Sequence, residues 1–104
     1  ATNSTEALTN TSTAVSVSTA ISTVDSSGGA VTVTLAAGVT GQLKTIICTT
    51  AGNNITVTPA ATVGSGTTVV LDAAGESVQL LYTGTAWAAV ATSSFATNIA
   101  TVIQ

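Results

Sequence analysis

The chain has 104 residues, a formal net charge of −3 and no histidine; Lys44 is its one basic residue, against Glu6, Asp25, Asp72 and Glu76. That balance excludes a nucleic-acid binder, which needs clustered Lys and Arg to neutralise phosphates, and it removes both the usual general base and the commonest metal ligand. With a single cysteine, Cys48, there is no intramolecular disulfide and no cysteine-based zinc site, and no run of about 18 apolar residues is present to make a membrane-spanning helix.

Residues 1–12 are Thr, Asn and Ser with only Ala1, Ala7 and Leu8 apolar. They lack a face to bury, so we expect a flexible N-terminal arm, ordered only against a neighbour, with Thr2, Asn3 and Leu8 as its candidate contacts. The start at Ala1-Thr2, without a basic and apolar leader pattern, is what a cytosolic product trimmed of its initiator would show. A β domain is expected over residues 13–92. It begins with a half-buried strand in which Val15, Val17 and Ile21 share a face opposite Ser16, Ser18 and Ser22. Asp25-Ser-Ser-Gly-Gly29 breaks this strand. Val31, Val33 and Leu35 then alternate with Thr32 and Thr34 in a second strand.

After a turn bracketed by Gly38 and Gly41, Gln42-Leu-Lys-Thr-Ile-Ile-Cys-Thr-Thr50 carries apolar residues on both faces, the pattern of a central strand. Cys48 in that run reads as a small buried hydrophobe. Ala51-Gly-Asn-Asn54 is a turn whose Gly and Asn tolerate positive φ. Ile55 and Val57 make a short strand that Pro59 should end. Residues 67–72 make another strand. Residues 75–90 then read as a hairpin: Val78, Leu80 and Tyr82 alternate up to a Thr83-Gly-Thr85 turn, and Trp87, Ala89 and Ala91 resume beyond it. Tyr82, Trp87 and Leu80 are the expected structural anchors, because aromatics flanking a turn fix register and bury the most area.

Residues 93–104 fit a helical face through Phe95, Ile99, Val102 and Ile103. They fit a strand through Phe95, Ile99 and Ile103 equally. Either way a C-terminal extension is expected to pack on the domain or on another chain, with Phe95 and Ile99 as contacts. Glycines recur about every 10 residues, as in a single antiparallel β-sandwich or small barrel. The Thr- and Val-rich composition supports the all-β class.

No catalytic constellation is legible. The nearest carboxylate pair, Asp72 and Glu76, reads as solvated turn acids with no His or basic neighbour to tune it, so neither enzyme activity nor a cofactor or metal is expected. Thr32-Val-Thr34 and Thr56-Val-Thr58 raise ice binding through a flat Thr array, but no fixed period is evident between repeats, and the expectation is the solvent face of a sheet. Tyr82, Trp87 and Phe95 are the chain's whole stock of sugar-stacking aromatics.

Leu35-Ala-Ala-Gly-Val-Thr-Gly-Gln-Leu-Lys-Thr-Ile-Ile, Ala51-Gly-Asn-Asn-Ile-Thr-Val-Thr-Pro59, Gly66-Thr-Thr-Val-Val-Leu-Asp72 and Gly75-Glu-Ser-Val-Gln-Leu-Leu-Tyr-Thr-Gly-Thr-Ala-Trp87 together resemble a β-module of tailed-bacteriophage virion proteins. Small head-decoration (cement) proteins and β-rich fibre parts share it. The resemblance covers residues 35–90, and Gly-x-x-Gly-Gln-x-Lys-Thr-Ile and Tyr-x-Gly-Thr-x-Trp are its signatures. It implies a homotrimer on the outer surface of a phage head, made in the host cytoplasm, that contacts the major capsid protein, bridges capsomers and stabilises the capsid. A short single-domain chain fits a decoration protein better than a fibre, whose receptor- or carbohydrate-binding knob is the alternative.

Overall fold

The computed structural model describes residues 4–63 and 68–93. Period-two alternation decides where the strands lie. Val31-Thr-Val-Thr-Leu35 buries Val31, Val33 and Leu35 and exposes the two threonines, and Ile55-Thr-Val-Thr-Pro59 repeats the pattern. Nine strands result: β1 (Thr5–Leu8), β2 (Ala14–Val15), β3 (Ile21–Asp25), β4 (Val31–Leu35), β5 (Leu43–Thr50), β6 (Ile55–Pro59), β7 (Val69–Leu71), β8 (Ser77–Tyr82) and β9 (Trp87–Ser93).

They form a five-stranded sheet, β1-β3-β5-β8-β9, and a four-stranded sheet, β2-β4-β6-β7. The fold is all-β and sandwich-like, and it is not a closed barrel. It departs from the antiparallel expectation, since both sheets are mixed. From β1 to β6 the chain changes sheet at every step, and each strand from β3 to β6 pairs in parallel with the strand two before it. Antiparallel pairing enters only with β7 on β6, β8 on β5 and β9 on β8. The first six strands therefore make three stacked coils. The second and third are offset by 24 residues in both sheets, Ile21 lying beside Thr45 and Thr32 beside Thr56. This fixed offset corrects the expectation that no internal period exists.

Two other expectations change. The strand anticipated from Val15 to Ser22 is two strands in different sheets, and β3 turns Ser22 and Val24 inward and Ile21 outward. The stretch taken for a flexible arm contributes β1, which pairs with β3 from Thr5 to Leu8 and buries Leu8 to 5% exposure. Thr2 and Asn3 lie outside the described residues, as do Phe95, Ile99 and the rest of 94–104.

The core is one cluster fed by both sheets: Val31, Val33, Leu35, Ile55 and Val57 from the four-stranded sheet meet Val24, Ile46, Val78, Leu80 and Trp87 from the other. Each fully buried aliphatic side chain contributes about 1.5–3 kcal/mol. The coils are also tied at their corners. Buried Ser26, in the β3–β4 turn, donates its hydroxyl to the Asn53 carbonyl at 2.7 Å, and Asn53 Nδ2 donates back to the Ser26 carbonyl at 2.8 Å. Gly52 sits in this corner because a Cβ there would come 3.2 Å from Ser27 Cα. Close approach rather than positive φ requires that glycine; among the described residues no non-glycine has positive φ and Gly52 has none either.

The β8–β9 hairpin forms as read, with Tyr82 paired to Trp87 across its turn. Gly84 makes the turn at φ +110°, where a Cβ would meet Thr40 Oγ1 at 2.8 Å. The two rings meet edge to face, centroids 5.0 Å apart at 68°. Trp87 Nε1 donates to the Ala36 carbonyl at 2.9 Å, and the Trp87 backbone bonds both Ala61 and Val63. One residue thereby joins the hairpin, the end of β4 and the loop after β6. Trp87→Ala should cost about 3–5 kcal/mol, a large share of a small domain's stability, read as a collapse of the thermal transition. Trp87→Phe should lose less, because it keeps most of the buried ring and forfeits the bond to Ala36.

Candidate functional site

Three places hold polar groups inside or beside the core. The first is the loop of residues 36–42 that joins β4 to β5. Gln42 folds back over it, accepting from the Val39 amide at 2.9 Å through Oε1 and donating from Nε2 to the Val17 carbonyl. Gly38 is packed against the Trp87 ring so closely that a Cβ would fall 2.8 Å from its Cζ2. An open groove of ≈ 470 Å³ runs along Val17, Ser18 and this loop. Its walls bring no carboxylate, thiol or cation, so it offers shape and backbone groups without chemistry. The Gly-x-x-Gly-Gln-x-Lys motif is thus structural here: each member shapes the loop or anchors it.

The second place is Lys44. It faces inward and is fully buried. Its Nζ donates to Thr19 Oγ1 at 2.6 Å and to the Thr19 carbonyl at 2.9 Å, with Glu6 Oε2 at 3.6 Å. That same Glu6 oxygen accepts from Ser22 Oγ at 2.5 Å and the Ser16 amide at 2.7 Å. Burial pushes the Lys44 ammonium below its ordinary 10.5, and the neighbouring Glu6 charge opposes the shift. The network crosses from β5 to β1 beneath β3, so the first and third coils are joined by an ion pair as well as by strands.

The third place is the turn between β7 and β8. Glu76, expected as a solvated turn acid, is 3% exposed. Its Oε1 accepts the amides of Asp72 at 2.6 Å and Ala73 at 3.0 Å, which fixes the turn. Asp72 stays exposed, and the hydrogen bond to Glu76, then the Glu76 charge, hold its carboxyl above the ordinary 3.8. The two carboxylates are brought together, but as the cap of a turn. Cys48 is buried as expected, and burial followed by the Glu76 charge pushes its thiol up from 9.0, away from the thiolate that reactivity requires. Among the described residues no group of His, Cys, Asp and Glu could hold a metal ion, and no helix is long and apolar enough to cross a membrane.

The anchors named from sequence fall together. Leu80, Tyr82 and Trp87 lie on adjacent strands, exposed by 3%, 8% and 1%. Sequence reasoning missed Glu6, Ser22 and Thr19, whose shared role needs the fold. It also missed the alignment of the two Thr-x-Thr steps: Thr32 pairs with Thr56 and Thr34 with Thr58, which puts four hydroxyls on the outer face of the four-stranded sheet. Their spacing is set by strand register, contrary to the irregularity expected. Comparison with protein-family models, with curated proteins and with solved structures gives no match.

Two outcomes test the charged groups. Glu6→Gln strands a buried ammonium and should cost about 2 kcal/mol, below the usual figure for a broken buried pair because Glu6 is partly solvated. Lys44→Met removes the buried charge itself, so the double variant should melt closer to wild type than Glu6→Gln alone. For Asp72 the folded pKa is raised, so its contribution to stability is complete below the ordinary value of 3.8 and is lost as pH rises through the raised value. Asp72→Asn should therefore gain on wild type above that window and not below it, read as the difference in urea midpoint across a pH series.

Proposed function

We propose that this chain is a structural virion protein: a homotrimeric decoration (cement) protein on the outer surface of a phage head, which contacts the major capsid protein, bridges capsomers and stabilises the shell. The observation that carries the reading is the resemblance of residues 35–90 to phage virion β-modules. In the fold those residues supply β5, β6, β7, β8 and the start of β9, including the anchor at Trp87. The motif residues Gly38, Gln42 and Trp87 all work at one corner of the scaffold, as befits a module defined by its shape.

Burial of the aromatics favours decoration over the fibre-knob alternative. A sugar platform needs an open ring face, and Tyr82 and Trp87 turn theirs to each other and to the core. The polar surface is largely hydroxyl, which suits a particle coat that must stay hydrated without strong fields.

The test is re-binding to phage heads stripped of their outer decoration. The complete protein should saturate the heads at a fixed copy number per capsomer and raise the temperature at which they release DNA. No uptake by heads, with binding to a glycan array instead, would replace this reading by the fibre-knob one.

A further inference from the structure

We infer that the outward face of the five-stranded sheet is where copies of this chain meet. The inference deepens the proposed function by naming the surface of its self-association, and it rests on the homotrimer in that reading, not on the capsid contact.

The starting point is a mismatch between two faces of one molecule. The four-stranded sheet follows the rule for a sheet wetted on one side: its inward positions are aliphatic, and Thr32, Thr34, Thr56 and Thr58 point out. The five-stranded sheet breaks it. Its middle strand β5 turns Lys44 inward and Leu43 and Ile47 outward. Around them lie Ile21 on β3, Leu81 on β8 and Ala88 on β9, with Leu43, Leu81 and Ala88 side by side in one row. Leu43 is 49% exposed. The sequence of β5 is that of a strand covered on both sides, yet the other sheet covers only its inner side, and no described strand forms a third layer.

Charge selects the occupant. Lys44 is buried, so the exposed ionisable side chains of the described surface are acidic, and a basic partner would be drawn to Asp25 and Asp72. The outward strand positions of this sheet carry no ionisable group except Asp25, at the end of β3. Two copies repel through their acids elsewhere but can bring these faces together without opposing like charges. Size agrees: five strands at about 4.8 Å spacing and a longest strand of eight residues at about 3.3 Å give a flat footprint of roughly 600 Å². With side-chain relief this approaches the ~800 Å² per partner of a standard interface. Turned toward a threefold axis, the face touches both neighbours and closes the assembly.

The experiment is light scattering after size exclusion on three proteins: wild type, Ile47→Lys on this face and Thr34→Lys on the hydroxyl face. Wild type and Thr34→Lys should run as three chains, and Ile47→Lys should fall to the single-chain 10.0 kDa with its circular dichroism unchanged. A folded Ile47→Lys that keeps the wild-type mass overturns the inference and leaves the homotrimer standing. A wild type of 10.0 kDa at micromolar concentration overturns both, while head re-binding still judges the decoration role separately. Should Ile47→Lys not fold, hydroxyl-radical labelling of the wild type decides: Leu43, Ile47 and Leu81 should be protected relative to Val70 and lose that protection on dilution. Equal labelling, or protection that arises only on phage heads, would overturn it.

Discussion

Parallel pairing between strands two apart in sequence forces the chain to cross from one sheet to the other at every step, and most of the structure answers that constraint. Each crossing leaves a corner whose backbone groups cannot join a ladder and must be paired some other way. Ser26 and Asn53 do this between the second and third coils, and the Ala60 amide does it at the other end by donating to Leu35. Because the corners stack, the coils keep a common length and Thr falls beside Thr. The first coil is shorter, offset from the second by 16 residues at Thr5 and Ile21, and so cannot use the same corner. The Lys44–Glu6 network holds it instead.

Much of this was legible in the sequence. Alternation located β4, β6, β8 and β9 closely, and the spacing of Tyr82 and Trp87 about a Thr-Gly-Thr turn identified the hairpin and its anchors. Strand direction was not legible by that route, because alternation reports which face is buried and is silent about the partner's direction. The signal that could have given it is the likeness of residues 30–37, Ala-Val-Thr-Val-Thr-Leu-Ala-Ala, to residues 54–61, Asn-Ile-Thr-Val-Thr-Pro-Ala-Ala. Two similar strands 24 residues apart, with an unlike strand between them, are the mark of a coil. β1 was missed for a different reason: its inward residues are Glu6 and Leu8, and a carboxylate signals burial only once the buried ammonium that needs it is known. Glu76 hid in the same way, since its partners are backbone amides.

The two outer surfaces divide the molecule's roles. A hydroxyl face with threonines in register is well hydrated and carries no charge, whereas the opposite face presents branched aliphatics from neighbouring strands. A chain with so few charges cannot rely on repulsion to stay soluble. Confining the aliphatics to one side gives association a single direction, toward a closed set of copies and away from open-ended stacking.

The strand order has a practical consequence. The chain enters the five-stranded sheet through β1 at one edge and leaves through β9 at the other, so the two ends of the described fold lie four strand spacings apart, about 19 Å. A reporter joined before β1 and another joined after β9 would emerge from opposite rims of the same sheet, each beside a different neighbour. The fold could therefore carry two cargoes without crowding them.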